Sequence, residues 1–548
     1  MSYKQHFPLA ILLFGTLLVA SSLPAGAQET VPLPAEDARM DAPTTSPIPW
    51  SSALPQLTPE QKAQLESALE GTHLSGPRRP DAGLTASLTE PTADTATMLR
   101  NSVPAPLATP GDAVKFRNVS FKSIIPSGYT SNVMESSTAE GGKYAFFTGN
   151  WFAARSINGG TTWTYVNPYA DMADFCCDQV TLYDEARNMF IWYRMGVPNA
   201  YGVNRIRVGV STDGGATFCN YDVQPTNVNS GWTNQWFDYP HLQKGADYLY
   251  IATNMFNSAT PPSWTRTVML RWPLDSLRAC AGFSYNYYAD SSWFTFVPVQ
   301  GAEHIMYFAS NWPSTSPYNR INVWKWPEDS TSLTTVTTTI PTWSFNVPVC
   351  GSTTGNWGGR SDDRVLTGAR YMIHGTNLKI PGREILGWWW NSAAIGSLTQ
   401  PYIEGVAFYE DTLTQVAGLQ GRPYIWNTST CFLYPSAAAN KRGDLGIVMN
   451  YSTGTNKNPS VAFAIADDFV TAPPGFTIYN VRTSNARPSD NKWGDYNTAR
   501  PFYPTQDTWI GAAHFIAGTT NCSNCSSPVF FAFGRERDRY SWSYWQSK

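Results

Sequence analysis

Short apolar segments, each ending in a polar residue, recur seven times along this chain of 548 residues. Such a segment is the pattern of a buried strand that ends at a turn. A second apolar segment follows soon after each of them. The seven segments of the first series end at Asn150, Arg194, Asn254, Asn311, Asn391, Asn450 and His514. This pairing predicts seven repeats, each with two neighbouring antiparallel strands.

All-β repeats at this spacing are typical of a β-propeller. The segments recur at intervals of about 40 to 80 residues, and strand-only repeats of similar length form blades around a central channel. The sequence predicts an all-β fold: a seven-bladed β-propeller of four-stranded antiparallel blades over residues 111–548. The paired segments are assigned to the second and third strand of each blade. Val114–Ser120 is expected to complete the last blade and close the ring.

The first 110 residues have a different composition. A positively charged start precedes an apolar run from Leu9 to Val19 and small residues at Ala25–Ala27, which predicts a secretory signal peptide over 1–27. Residues 28–110 are rich in Pro, Ala, Thr and Ser and are expected to form a mostly disordered linker or pro-segment. A capping box and a terminal glycine predict one short helix within it, at 58–71.

Composition narrows the class of partner. The net charge of −3 and pI of about 6.1 argue against a nucleic-acid-binding surface, and no later segment reaches the length of a membrane span. We expect a secreted monomer with no membrane span. Aromatic residues make up 14% of the chain. They suit the packing of sheets, with stacking of exposed tryptophans on sugar rings as the alternative.

The eight cysteines predict disulfides in an exported protein. Cys350 and Cys431 precede strands of consecutive predicted blades and are expected to pair. The adjacent Cys176 and Cys177 either bridge each other or pair elsewhere.

Polar and charged residues precede the first strands of several predicted blades. In a propeller these entry loops share one face with the loops between second and third strands, and this face is by analogy the usual ligand site. The residues expected at this rim are Asp178, Asp238, Tyr239, His241, Arg360, Asp362, Arg364, Asn391, Asp495, Tyr496, Arg500 and Tyr503. Amides and carboxylates suit sugar hydroxyls, and arginine suits a carboxylate.

A structural role is the alternative for part of this set. The asparagines equally suit the ends of turns, and Asp238–Pro240 equally suits the ordering of a loop. The segments Arg360–Arg364 and Asp495–Arg500 favour a functional site, because neighbouring carboxylates and guanidinium groups cost solvation free energy unless they are paired.

Four histidines at roughly blade spacing raise the alternative of a metal site. His241, His304, His374 and His514 fall at different positions of the predicted strands, so we do not expect them to meet on a transition metal. No cofactor is expected, and a structural Ca²⁺ held by carboxylate and backbone oxygens is the alternative.

Two turns that follow the third strand of the first two predicted blades share one pattern. Ser156–Trp163 and Ser211–Phe218 both read Ser-x-(Asp/Asn)-x-Gly-x-Thr-aromatic. With these turns the chain resembles the Asp-box (BNR-repeat) β-propellers, typified by the sialidases. The resemblance covers the first two predicted blades, and it implies the fold more strongly than a function.

The resemblance also implies a set of chemical roles. In sialidases three arginines hold the substrate carboxylate, a tyrosine activated by a glutamate is the nucleophile, and an aspartate is the acid/base. The candidates here are Arg117, Arg364 and Arg500 for the arginines, Tyr496 or Tyr503 for the nucleophile, Glu135 for its base, and Asp238, Asp362 or Asp495 for the acid. Sialidases have six blades, so seven predicted blades point to a different enzyme on a related fold.

We therefore expect an exported carbohydrate-active enzyme, a glycoside hydrolase that acts on an extracellular glycan, neutral or acidic, at the central pocket of the propeller. A polysaccharide lyase is one alternative, because a Tyr or His base and an arginine beside a uronate carboxylate would use the same rim. A non-catalytic glycan-binding or scaffold propeller is the other.

Overall fold

The computed structural model describes residues 28–33, 38–47, 113–199, 201–259, 261–351, 355–373, 382–454, 457–467, 476–521 and 525–538. The predicted signal peptide and the predicted helix at 58–71 lie outside this part of the chain. Strands dominate what is described, which confirms the all-β prediction. The helical segments there are short: Pro225–Val228, Leu274–Arg278, and the 3-10 turns Lys122–Ile124, Gly418–Gly421 and Glu536–Asp538.

Four strands lie at the N-terminal end and the others form consecutive antiparallel groups. The N-terminal strands are β1 (Glu29–Pro32), β2 (Ala38–Met40), β3 (Thr44–Pro47) and β4 (Val114–Ser120). Group 1 comprises β5 (Ser137–Gly141), β6 (Tyr144–Gly149), β7 (Phe152–Ser156) and β8 (Thr164–Val166). Group 2 comprises β9 (Phe175–Asp184), β10 (Met189–Gly196), β11 (Ile206–Ser211) and β12 (Thr217–Val223). Group 3 comprises β13 (Gln235–Lys244), β14 (Tyr248–Asn257), β15 (Trp264–Pro273) and β16 (Phe283–Asp290).

The later groups follow the same order. Group 4 comprises β17 (Val297–Gln300), β18 (Ile305–Ser310), β19 (Arg320–Pro327) and β20 (Ser332–Thr339). Group 5 comprises β21 (Val365–Ile373), β22 (Arg383–Ser392) and β23 (Tyr402–Tyr409). Group 6 comprises β24 (Thr430–Ala439), β25 (Leu445–Thr453), β26 (Ser460–Ala466) and β27 (Thr477–Arg482). Group 7 comprises β28 (Thr498–Pro501), β29 (Trp509–Ile516) and β30 (Ser526–Arg535), with β4 paired to β30 as predicted.

The predicted strand pairs are confirmed. The first series of apolar segments forms β6, β10, β14, β18, β22, β25 and β29, and the second forms the strands that pair with them. Two details differ from four-stranded units. Group 5 has three strands in the described part of the chain, and a parallel pair between β17 and β21 joins groups 4 and 5 into one sheet.

The first strand of each group faces a common axis. A narrow cavity of about 60 Å³ is lined by residues of β5, β9, β13, β17, β21, β24 and β28. Groups 7 and 1 are also in direct contact, because the Arg500 Nε donates to the Thr138 carbonyl at 3.2 Å. Sheets whose first strands surround one channel are consistent with a β-propeller.

Tryptophan packs mainly inside the sheets. At least twelve of the 22 tryptophans have an exposed fraction below 2%, including Trp388, Trp389 and Trp390. These side chains therefore serve sheet packing, the first of the two alternatives, and offer no surface for sugar stacking.

The two predicted turns have matching hydrogen bonds. The Asn158 Oδ1 accepts the Thr162 N–H at 2.9 Å, and the Asp213 Oδ1 accepts the Thr217 N–H at 2.9 Å. The aromatic residues that follow, Trp163 and Phe218, are buried. The turns thus tie the third strand of each of these groups to the outer one.

Two of the disulfides in the described part of the chain link neighbouring groups, and another lies within the channel strand β9. The expected Cys350–Cys431 bridge is confirmed and ties the loop before group 5 to β24. Cys219 of β12 pairs with Cys280, which joins groups 2 and 3. Cys176 and Cys177 bridge each other, the first of the two alternatives, directly before Asp178.

The segment from Glu29 to Pro47 corrects the linker prediction over part of its length. Its three strands, which we call the N-terminal strap, add to the outer edges of β20, β16 and β12 in turn. An outer strand leaves a row of backbone N–H and C=O groups unpaired, so even a segment of low hydrophobicity can bind there by strand addition. Composition alone does not reveal this, because the hydrogen bonds come from the backbone.

The strap should contribute measurably to stability through Met40. This side chain is 6% exposed and packs in the core with group 3. Replacing Met40 by Ala should lower the free energy of unfolding by about 2–5 kcal/mol in chemical denaturation, because a buried cavity forms. The adjacent Arg39→Ala, whose side chain is 81% exposed, should change it by less than about 0.5 kcal/mol. Equal effects of the two changes would contradict a docked strap.

Candidate active site

One mouth of the channel is shaped by residues with left-handed backbone conformation. Glu135 lies two residues before β5 with φ 50°, while Cys177, Tyr239 and Tyr434 lie within β9, β13 and β24 with φ 63°, 57° and 58°. Such values are costly for residues other than glycine and persist where the surrounding structure enforces them, often at functional sites. Each bend interrupts the regular strand geometry. The side chains that follow these bends meet at the mouth.

Four buried acids meet at this mouth, and we call them the carboxyl cluster. Glu135, Asp178 and Asp495 have exposed fractions of 1%, 2% and 3%, and the Asp362 side chain is 7% exposed. They come from four different groups of strands or from the loops that enter them. Gly494 brings two of these loops together: its φ is 95°, and a Cβ there would lie 3.4 Å from the Glu135 nitrogen.

Glu135 and Asp178 form a carboxyl–carboxyl pair. Two ionised carboxylates have no donor to share, so a hydrogen bond between them requires one proton. Burial, and then the charges of Asp178 and Asp495, raise the pKa of Glu135 well above its ordinary value, while the nearby Arg360 opposes this. Burial raises the pKa of Asp178 to about 6, against the hydrogen bond from Glu135. Glu135 therefore holds its proton to a higher pH than an ordinary glutamic acid does.

Arg364 neutralises the other two acids. Its Nε lies 3.0 Å from the Asp362 Oδ1, and its Nη2 lies 3.6 Å from the Asp495 Oδ2. The guanidinium carbon also lies 3.5 Å from the centroid of the Tyr239 ring, a cation–π contact. Burial nevertheless raises the pKa of Asp362 to about 7; Arg364 opposes the shift, whereas Asp363 and Asp495 add to it.

Tyrosines surround the cluster. Tyr496 is half-buried, and its hydroxyl donates to the Gln179 carbonyl at 3.4 Å. Burial, and then the charges of Asp178 and Glu135, raise its pKa well above the ordinary value. The Tyr239 ring stands edge-on to Tyr496, with centroids 6.5 Å apart. The Tyr496 hydroxyl therefore lies in the electrostatic field of Glu135 and Asp178.

Three other predicted rim residues have supporting positions. Asp238 accepts the Tyr239 N–H at 2.9 Å, which orders the bend in β13. Asn391 donates to the Ser361 hydroxyl at 3.0 Å and accepts the Tyr434 N–H at 2.7 Å, so it ties the loop at Ser361 to β24. Burial, with the charge of Arg364, lowers the pKa of His241 to about 3, so this imidazole is neutral in the channel wall.

Three predicted residues lie elsewhere, which corrects their assignment to this mouth. Arg117 is on the outermost strand of group 7, where its Nη2 donates to the Gly159 carbonyl of the first turn at 3.0 Å. Tyr503 lines a larger cavity at the opposite end of the first strands, and Arg500 lines both this cavity and the narrow channel. A strand advances about 3.3 Å per residue, so a few positions along the chain separate one mouth from the other.

Two residues of the site were missed in the sequence. Tyr434 is buried beside the cluster, and its hydroxyl donates to the Trp357 carbonyl at 3.2 Å. Tyr193 of β10 is buried, and its pKa is raised by burial and by Asp178 and Asp238. A signal for Tyr434 exists: Tyr-Pro occurs in β24 as it does at Tyr239 in β13.

One group of side chains outside this mouth has donors suited to a cation. Ligand atoms of Asp247, His304 and Glu328 lie within 4.8 Å of one another, and only Glu328 is buried. Glu328 also accepts the Asp247 N–H at 3.2 Å. His514 stacks on Trp493 and does not approach this group.

Comparisons with known proteins give fold-level likeness only. No protein-family model matches the sequence, and no curated protein is significantly similar to it. Among solved structures, the Penicillium chrysogenum α-L-arabinanase complexed with arabinobiose has a TM-score of 0.33 at 10% identity, covering 77% of this chain and 97% of its own. For the Fusarium graminearum α-L-arabinofuranosidase with arabinobiose the values are 0.35, 10%, 75% and 96%.

A sialidase is also among the solved structures with some similarity to this chain. The Trypanosoma rangeli sialidase with 2,3-difluorosialic acid has a TM-score of 0.32 at 10% identity, covering 67% of this chain and 54% of its own. Likeness at this level assigns neither a family nor an activity. Separately, none of the helices in the described ranges is long and apolar enough to cross a membrane.

Proposed function

We propose that this protein is an exported glycoside hydrolase, built on a closed seven-bladed propeller, whose active site is the carboxyl cluster. The observation that carries the proposal is the pair of unequal environments in one mouth: Glu135 with Asp178, and Asp362 with Asp495 and Arg364. Acids held in different protonation states at one site are the arrangement that acetal cleavage requires.

Asp362 is the proposed general acid. With a pKa of about 7 it retains a proton at neutral and mildly acidic pH, and a group titrating near the working pH transfers protons efficiently. It would protonate the glycosidic oxygen as the bond to the sugar breaks. Arg364 remains paired with Asp495 and limits the accumulation of negative charge when Asp362 gives up its proton.

Tyr496 is the proposed nucleophile and Asp178 its base. Among nearby charges, those of Asp178 and Glu135 have the largest effect on the pKa of the Tyr496 hydroxyl. The side chain is half-buried, so a sugar can reach it. The sialidase resemblance suggests a Tyr–Glu couple with Glu135 as base. Because the pKa of Glu135 is raised well above its ordinary value, we assign the role of proton acceptor to Asp178. The expected covalent intermediate is an aryl glycoside, in which the Tyr496 oxygen is bonded to the anomeric carbon. Water then hydrolyses this bond.

An acidic glycan is the proposed substrate class. The positive charge of Arg360 lowers the pKa of both Glu135 and Asp178, so its guanidinium lies near the cluster. Arg360 is also partly exposed, so it can pair with a carboxylate of the sugar.

The test is product analysis on a panel of glycans. The full chain should be incubated with neutral furanosides, neutral pyranosides, sialosides and uronate-containing oligosaccharides. Hydrolysis of an acidic member to saturated products is expected, with Tyr496→Phe binding the substrate but not cleaving it. Unsaturated products would indicate the lyase alternative, and binding without any cleavage would indicate a glycan-binding module.

A further inference from the structure

The opposite end of the channel contains a larger cavity that the proposed hydrolase site does not use. It has a volume of about 420 Å³, within the range of small-molecule sites. Its wall combines residues from the ends of several first strands with the turns that follow them. The polar lining includes Glu140, Gln243, Gln300, Asn440, Arg500 and Tyr503.

Arg500 is a buried cation in this wall without a carboxylate partner. It is 8% exposed, its Nε donates to the Thr138 carbonyl at 3.2 Å, and its Nη1 donates to the Gln300 Oε1 at 3.3 Å. Both acceptors are neutral. Burial lowers its pKa to about 10, with only the Tyr503 phenol opposing this shift. An uncompensated guanidinium is costly in such a place and attracts an anion.

The other basic groups of the cavity are already paired. Arg370 contacts Glu303, Glu384 and Glu410 at 3.1, 2.6 and 2.8 Å. Lys244 lies 3.1 Å from Glu185. The remaining two, Lys441 and Arg442, also contact acids, at 3.0 Å and 2.9 Å. The positive charge available to a ligand is therefore that of Arg500.

Glu140 is the complementary group. It is 1% exposed, its Oε2 accepts the Tyr503 N–H at 2.9 Å, and its Oε1 has no hydrogen-bond partner. Burial raises its pKa well above the ordinary value, against the Tyr503 hydrogen bond. The single guanidinium without a carboxylate partner matches a single negative charge on a ligand, and the nearby Glu185 disfavours a dianion.

We propose that this cavity is a second binding site, for a hydroxylated monocarboxylate with the chemistry of a hexuronic acid. Arg500 holds the carboxylate, and Glu140 with the amide and phenol side chains of the wall bonds the hydroxyls. The site faces away from the carboxyl cluster, so its occupant is distinct from the glycan bond being cleaved, and the inference stands whether or not the protein is a hydrolase.

Calorimetric titration of the full chain tests this assignment. Glucuronate should bind with a saturable component that depends on Arg500, whereas glucose and inorganic phosphate should bind at least tenfold more weakly. Arg500→Gln should weaken glucuronate binding at least tenfold, and Arg500→Lys, which keeps the charge but not the forked donors, should weaken it by a smaller factor. The exposed Arg278→Gln, which makes its hydrogen bond to the Arg187 carbonyl, is the matched control and should bind as the wild type does.

The lysine variant keeps the test decisive if Arg500→Gln does not fold, which a thermal melt will show. Failure of glucuronate to bind would overturn the proposal. Undiminished binding to either Arg500 variant would also overturn it, as would phosphate binding as tightly as glucuronate. If the wild-type chain binds glucuronate but cleaves no glycan, the result would count against the proposed function and not against this second site.

Discussion

Replacing Asp362 by Asn should lower kcat/KM for an unactivated glycoside by about 10²–10⁴-fold, the usual contribution of a general acid. The variant removes the proton that protonates the leaving oxygen. It keeps an oxygen that can accept the Arg364 backbone N–H, which lies 3.1 Å from the Asp362 Oδ1, so the loop should retain its shape. An aryl glycoside with a good leaving group should lose far less activity, because its departure needs little protonation.

This difference between leaving groups separates a chemical role from a structural one. The matched control is Glu404→Gln, which removes a buried carboxylate from β23, where Arg422 is its ion-pair partner at 2.6 Å. That change should lower stability and leave the ratio of the two activities unaltered. Equal losses on the two substrates in Asp362→Asn would remove Asp362 from the mechanism.

Replacing Arg364 by Met should destabilise the protein by about 3–5 kcal/mol at pH 8, the usual result of breaking a buried ion pair from one side. Two carboxylates, Asp362 and Asp495, would lose their cation inside a site with almost no exposure. Urea unfolding at pH 5 and pH 8 measures the effect. A loss below about 1 kcal/mol at both values would contradict the description of Arg364.

The pH dependence of this loss follows from Asp362. Its pKa is about 7 in the folded protein against an ordinary value of 3.8, so the folded state binds its proton more strongly than the unfolded state does. Stability from this group is present at low pH and declines as the pH rises from about 4 to about 7. Without Arg364 the pKa of Asp362 rises further and the decline extends above pH 7. The deficit should therefore be smaller at pH 5, and Arg364→Met with Asp362→Asn should recover part of it at pH 8.

The strand pattern was predictable because it depends on local alternation and turns. Apolar segments that end at a polar residue gave the second and third strands of each group, and the pairing of β4 with β30 followed from a single unassigned apolar segment. The N-terminal strap was not predictable in this way. Its strands gain their place from backbone groups on the edges of β12, β16 and β20, and composition carries no record of such pairing.

The candidate site was predictable in so far as it depends on which loop enters a first strand. Asp178, Asp362, Arg364, Asp495 and Tyr496 all meet at the expected mouth. The distance of a residue from the channel mouth was not predictable, because it depends on where the bend in its strand lies.

Two consequences of those bends could not be read from the sequence. Arg500 follows Asp495 by five positions and faces the opposite cavity. The raised pKa of Glu135 depends on its burial and on the charge of Asp178, which lies 43 positions later in the chain, and no local pattern encodes this proximity.

The pH dependence of kcat/KM for a cleaved glycan tests the central claim most directly. The protonated acid Asp362 and the ionised base Asp178 predict a narrow bell, with an acidic limb near pH 6 and a basic limb near pH 7. In Asp362→Asn, assayed on an aryl glycoside that needs no acid, the basic limb should disappear while the acidic limb remains. A basic limb that persists unchanged in this variant would contradict the account.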